Sequence, residues 1–148
     1  MEIAPDTPLF GPAIARGTCR LLASHGFSCL TEMTLKTRLR ADVMALGPKG
    51  EIWIVECKSS RADFQSDRKW QGYLEWCDRF FFAVPPGFPE EILPPEPGLI
   101  RADAWDGEVI RDAPLDALAG ARRKAVTLKL ARDGLRRWQA LADAALPG

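Results

Sequence analysis

The chain has 148 residues, with 20 Lys and Arg against 20 Asp and Glu. That length buries a core without disulfide staples, and the balance of apolar and charged residues excludes a disordered or collagen-like chain. No apolar stretch is long enough to span a membrane, and MEIAPDTPLF lacks the basic and apolar regions of a secretory signal, so one cytoplasmic domain over 1–148 is expected.

Residues 1–12 are rich in proline and polar groups and read as a loose tail. Ala13 to Ser24 has helical periodicity, with Ile14, Thr18, Leu21 and Leu22 on one side and Arg16 and Arg20 on the other. Gly26 is placed to end that helix. Extended patterns follow over Phe27 to Leu35, Arg40 to Leu46 and Glu51 to Cys57. The run from Gly47 to Gly50 is a turn signal, which makes the second and third strands a hairpin.

From Asp63 to Asp78 the spacing of Trp70, Tyr73, Leu74 and Cys77 predicts one continuous helix packed on a sheet. Phe80 to Val84 reads as a short buried strand stopped by Pro85 and Pro86. A second hairpin is predicted from Leu99 to Ala104 and Val109 to Arg111, turning at Asp106 and Gly107. A basic amphipathic helix from Ala121 to Ala144 closes the chain, with Leu128, Ala131, Leu135 and Trp138 expected to face inward. The predicted fold is α/β, with an αβββαβ core on a mixed central sheet, an added hairpin and the basic C-terminal helix.

Cys19, Cys29, Cys57 and Cys77 form no C-x-x-C pair, and His25 is the single histidine. That spacing argues against zinc, and the cysteines read as reduced core residues.

The chemistry concentrates on the first hairpin. Glu56 and Lys58, two apart on a strand, project from one face. With the turn centred between Pro48 and Lys49, Asp42 lies almost opposite Glu56, where cross-strand Cβ atoms are typically ~4.5–5.5 Å apart. Two carboxylates and an ammonium that converge in a core need a cation or a partner. Magnesium, with manganese as a substitute, suits such a site, because it takes oxygen ligands from one or two carboxylates plus substrate phosphates. Asp42 and Glu56 are the candidate ligands, with the Cys57 carbonyl as a further oxygen. Lys58 is the candidate for stabilising developing charge.

A bare Glu-x-Lys is a weak signal, but Arg-Ala-Asp occurs three times, ending at Asp42, Asp63 and Asp103, and only Asp42 is followed by turn, strand and Glu-x-Lys. Asp63, Asp67 and Gln71 recur at i+4 and would share one helix face toward the site, Gln71 as a contact to phosphate or a metal-bound water. Asp63 also reads as a helix N-cap. Glu32 on the first strand is a further accessory acid.

Several blocks are similar to the MmcB-type DNA-repair proteins. They are Arg40 to Leu46, Ile54 to Phe64, Asp67 to Trp70, Tyr73, Cys77 to Val84 and Arg122 to Leu128, within a match from about Arg16 to Trp138. That family is grouped with the PD-(D/E)XK nucleases. The resemblance implies a bacterial DNA-repair protein and, by superfamily analogy, Mg²⁺-dependent phosphodiester hydrolysis. On that motif Asp42 matches the metal-binding aspartate, Glu56 the second carboxylate and Lys58 the lysine. The chain departs from it in having Ala41 before Asp42, Cys57 inside the triplet, and no acidic residue in the first helix.

The leading expectation is therefore a DNA-repair nuclease. Arg16, Arg20, Arg38, Arg40, Arg122, Arg123 and Lys124 are its candidate contacts to the DNA backbone. The rival reading is a catalytically inactive module of the same fold that binds DNA or scaffolds other repair proteins. A third is a protein that binds no nucleic acid and uses its basic helix to cap the core. A homodimer is compatible with this class of small nuclease, and no sequence feature supports or opposes one.

Overall fold

The computed structural model describes residues 10–67 and 69–148. Helix α1 (Gly11–Ser24) starts two residues earlier than the periodicity predicts. Pro12 falls in its first turn, where a missing N–H costs nothing. Gly11 and Pro12 are thus helical, Phe10 is their extended N-cap, and the rest of the predicted tail, 1–9, lies outside the described residues. Gly26 closes the helix with φ +87°, a conformation that a side chain would strain.

Three antiparallel strands follow: β1 (Ser28–Thr34), β2 (Arg40–Leu46) and β3 (Ile52–Cys57). Val43 stands opposite Val55 and Met44 opposite Ile54, so one more step in the same register sets Asp42 opposite Glu56. The turn is centred on Lys49, half a residue from its expected place.

Strand β4 (Arg79–Val84) lies parallel to β3, and β5 (Gly98–Ala102) lies parallel to β4. Strand β6 (Gly107–Arg111) returns antiparallel to β5. The strands lie side by side in chain order in one mixed six-stranded sheet, which is the predicted core with its added hairpin.

Both sheet faces are covered, so the central strands are apolar on both sides. On one face Ile14, Leu21 and Leu22 of α1 pack with Val43, Val55, Phe81 and Ile100. On the other, Met44, Ile54, Phe80 and Phe82 pack with Tyr73, Trp76, Val126 and Leu130. Burying each such side chain stabilises the fold by roughly 1.5–3 kcal/mol. α1 lies against the β5–β6 loop through bare backbone, since a Cβ on Gly17 would sit 1.8 Å from the Asp103 carbonyl oxygen.

Three expectations are corrected. The β5–β6 turn is not the Asp-Gly type, because Gly107 pairs with Ala102 inside the ladder. The loop of residues 103–106 is closed by Asp103, whose Oδ1 accepts from the Trp105 and Asp106 N–H groups at 2.8 and 2.9 Å.

The helix expected over Asp63–Asp78 is two pieces. Helix α2 (Arg61–Ser66) ends at Asp67, which is extended, and a 3₁₀ segment occupies Trp70–Trp76. Three residues per turn align Trp70, Tyr73 and Trp76 on the sheet and leave Leu74 exposed. Aromatic packing holds that geometry: Trp70 and Tyr73 both stack on Phe80, at centroid distances of 5.8 and 6.0 Å. The Tyr73 hydroxyl donates to the Arg40 carbonyl at 2.8 Å.

Helix α3 (Gly120–Ala144) presents the opposite face from the one predicted. Val126 and Leu130 are buried, whereas Leu128, Ala131, Leu135 and Trp138 are exposed. Among the described residues no helix is long and apolar enough to cross a membrane.

Candidate active site

The first hairpin brings its two carboxylates together by exchanging hydrogen bonds across the strands. The Asp42 N–H donates to Glu56 Oε1 at 2.9 Å, and the Cys57 N–H donates to Asp42 Oδ2 at 2.8 Å. Side chains thus take over where the β2–β3 backbone ladder stops. The inside–outside alternation of β2 breaks at the same point. Val43 and Ala45 face α1, but Ala41 and Met44, three apart, share the opposite cluster. Across β1, Glu32 sits level with Asp42 at φ +53°, a left-handed conformation rare outside glycine. A cleft of about 580 Å³ opens at this level.

Asp42, Glu56, Cys57, Lys58 and Asp63 line this cleft together with Glu32, Arg40 and the start of α1 at Gly11 to Arg16. Glu56 is only 5% exposed and Lys58 7%. Burial, and then the neighbouring Asp42 charge, pushes the Glu56 carboxyl up to about 8. Burial also raises Asp42, against the hydrogen bond from Cys57 and the charge of Lys58. The pair therefore holds protons more tightly than free carboxylates do, because its surroundings do not satisfy two negative charges.

Lys58 does not neutralise it alone, because its Nζ is 2.8 Å from Asp67 Oδ2. Burial disfavours the ammonium, but the hydrogen bond and charge of Asp67, helped by Asp63 and Glu56, hold its pKa above the ordinary value. The Lys58 backbone is fixed by its N–H donating to the Ala83 carbonyl at 2.9 Å. Asp63 caps the loop that follows, its Oδ2 accepting from the Ser59 N–H at 2.9 Å, while its own N–H donates to Ser60 Oγ at 3.1 Å. Asp63 is therefore not the N-cap of α2 as expected: Ser60 caps the helix, and the Asp63 carboxylate binds back to Ser59.

The cleft fits a hard divalent cation in its donor chemistry. It offers two carboxylates, each with one oxygen engaged by a backbone N–H, beside the Cys57 backbone. The Cys57 side chain belongs to the cluster under α1. Among the described residues no group of three or more His, Cys, Asp or Glu side chains forms a self-sufficient metal cage. Two carboxylates with open positions suit magnesium, which keeps waters and takes substrate phosphates, better than they suit zinc or calcium.

The remaining sequence candidates separate. Arg16 and Arg40 line the cleft, and the Arg16 guanidinium lies 4.2 Å over the Trp105 ring. Arg20 is one helical turn further on and donates to the Trp105 carbonyl at 2.7 Å. Arg38 is exposed in the β1–β2 turn with φ +71°. Gln71 is exposed in the 3₁₀ segment and is not among the cleft residues, because the break at Asp67 removes the helix face that would have carried it there.

The basic start of α3 is also spoken for. Arg123 grips buried Asp78 through both its nitrogens, at 2.7 and 2.6 Å. Arg122 lies 3.9 Å over the Trp76 ring and donates to the Glu75 carbonyl at 3.0 Å. Lys124 alone of the three is exposed, the other two being half-buried. Arg137, which carried no signal beyond its charge, donates to the carbonyls of Thr31 and Glu32 and so ties α3 to the cleft rim.

The family described as DNA repair protein MmcB-like matches residues 8–145. A solved structure, an SPO1766 protein of unknown function from Silicibacter pomeroyi, is 54% identical with a TM-score of 0.86, over 100% of this chain and 98% of that one. No curated protein matches the chain.

Proposed function

Because the chain belongs to the MmcB-like family of DNA repair proteins, we propose that it is a cytoplasmic, metal-dependent DNA nuclease of the PD-(D/E)XK type. One observation carries this reading: a buried and a half-buried carboxylate, both with raised proton affinity, face an open cleft beside a buried lysine. A carboxyl pair left short of partners at a cleft is a place that a bound cation would complete.

Asp42 and Glu56 would hold Mg²⁺ or Mn²⁺, with the Cys57 carbonyl beside them. Bound there, the cation acidifies a water and neutralises charge on a phosphoryl oxygen. Lys58, fixed by Asp67, presents its ammonium to the non-bridging phosphate oxygens as the attacking oxygen closes on phosphorus. Asp63 keeps the Ser59–Ser60 loop in place beneath Lys58. Arg16 and Arg40, on the rim, bind flanking phosphates and give affinity without sequence preference.

A second reading, a DNA-binding scaffold without cleavage, is favoured by the Lys58–Asp67 pair, which occupies the lysine that catalysis would use. Single-stranded, duplex, flap and junction DNAs incubated with Mg²⁺ or Mn²⁺ separate the two. The nuclease reading expects cleavage that Asp42→Ala and Lys58→Ala each abolish while the variants stay folded and bind DNA. Salt-sensitive binding with no cleavage of any substrate establishes the scaffold.

A further inference from the structure

Helix α3 carries an apolar stripe that the body of the protein does not use. Leu128, Ala131, Leu135, Trp138 and Ala142, with Ala145 at the C-cap, recur at alternating spacings of three and four, the pattern of a helix that pairs with another helix. All six are exposed, and Leu128, Leu135 and Trp138 are 56, 68 and 69% exposed. The inward face instead uses Val126, Leu130 and the Arg137 hydrogen bonds. Isolated exposed leucines are ordinary, but a continuous seam along one helix marks an interaction surface.

We propose that this seam is a homodimer interface, in which α3 packs antiparallel against α3 of a second copy about a two-fold axis between Arg136 and Arg137. The occupant follows from self-complementarity. In that register Leu135 meets Trp138 of the second copy, Ala131 meets Ala142 and Leu128 meets Ala145. Each bulky end faces a small one, and the largest pair sits at the centre, as a two-fold interface requires.

The charges agree. Along the helix, Lys129 and Arg136 both pair with Asp133. Arg132 and Asp143 flank the seam on one side, and neither has an ion-pair partner among the described residues. The antiparallel register brings Arg132 within a turn of Asp143 of the second copy, twice. A parallel pairing would set Trp138 on Trp138 and leave both charges unmatched. A nucleic-acid face needs cations where phosphates land, whereas here the cations border the stripe and its centre is leucine and tryptophan.

Arg137 also bonds the Thr31 and Glu32 carbonyls at the cleft rim, so the axis passes beside the strand that shapes the cleft. This inference does not depend on whether the cleft cleaves DNA.

Sedimentation equilibrium of the full chain tests it. Wild type is expected to show twice the chain mass, and Leu135→Glu to be monomeric with an unchanged circular dichroism spectrum. Arg132→Glu should weaken the dimer about tenfold, roughly 1.4 kcal/mol, and Arg132→Glu with Asp143→Arg should restore it. A wild type that stays monomeric at all concentrations overturns the proposal, as does a dimer that Leu135→Glu leaves intact. A monomer that loses DNA binding on Leu135→Glu also overturns it and identifies a nucleic-acid surface.

Discussion

Two buried acidic centres in this protein are built to opposite ends. Asp78, 4% exposed, is saturated: both oxygens meet Arg123, and the Ile52 and Leu118 N–H groups donate to it at 2.8 Å each. Burial opposes its charge, but those partners outweigh burial and hold its carboxyl below the usual range. Asp42 and Glu56 each take one backbone N–H, share one lysine that Asp67 already engages, and are pushed up. The first centre staples β3, the 3₁₀ segment and α3 into one body. The second remains electrostatically incomplete at the mouth of a cleft. Completeness, rather than burial or residue type, distinguishes a structural carboxylate from a candidate catalytic one.

Breaking the complete centre should have the largest effect. Arg123→Ala leaves a buried carboxylate uncompensated and should cost about 3–5 kcal/mol, read by denaturant unfolding. Loss below 1 kcal/mol would place Asp78 among ordinary surface acids and remove the contrast.

Completing the incomplete centre should come next. Mg²⁺ at a hundredfold excess over its dissociation constant should stabilise wild type by about 2.7 kcal/mol and leave Asp42→Ala unmoved in a thermal melt.

The pH dependence sharpens the contrast because the signs differ. Asp78 has a lowered folded pKa, so its stabilisation is present above the unfolded value near 3.9 and is lost as pH falls through the folded one. Glu56 has a raised folded pKa, so its contribution is complete below about 4.3 and is lost as pH rises through about 8. Metal-free Glu56→Gln should therefore gain on wild type between those values, on the order of 1–3 kcal/mol at the alkaline end. Parallel stability–pH curves for the two proteins would remove Glu56 from the account. The smallest effect belongs to the rim: Arg16→Gln and Arg40→Gln should each lower the salt slope of DNA binding by about one and leave the melt unchanged.

The legible parts of the sequence were those fixed by local pattern. Strand β2 was read to the residue, and the Gly47–Gly50 turn signal placed the hairpin within half a residue of the register that sets Asp42 level with Glu56. The parts that misled depend on distant contacts. Trp70, Tyr73 and Cys77 fit an α-helical stripe, but stacking on Phe80 and the reach of Asp67 to Lys58 favour a 3₁₀ segment after a break. The three-residue recurrence of Trp70, Tyr73 and Trp76 was the available clue. Arg123 looked like a phosphate contact because a basic run does not reveal which of its members faces a buried aspartate. For α3, periodicity found an apolar face, but the helix turns Val126 and Leu130 to the sheet and leaves Leu128, Leu135 and Trp138 exposed, since a pattern does not say which face meets the body.

The central claim, that Asp42 and Glu56 are held for a divalent cation, is tested most directly by titrating Mg²⁺ into the metal-free protein at pH 7 by calorimetry, in two buffers of different ionisation enthalpy. Wild type should bind saturably with proton release, and Asp42→Ala and Glu56→Gln should lose both. Absence of binding in wild type, or binding that both variants retain, would contradict that claim.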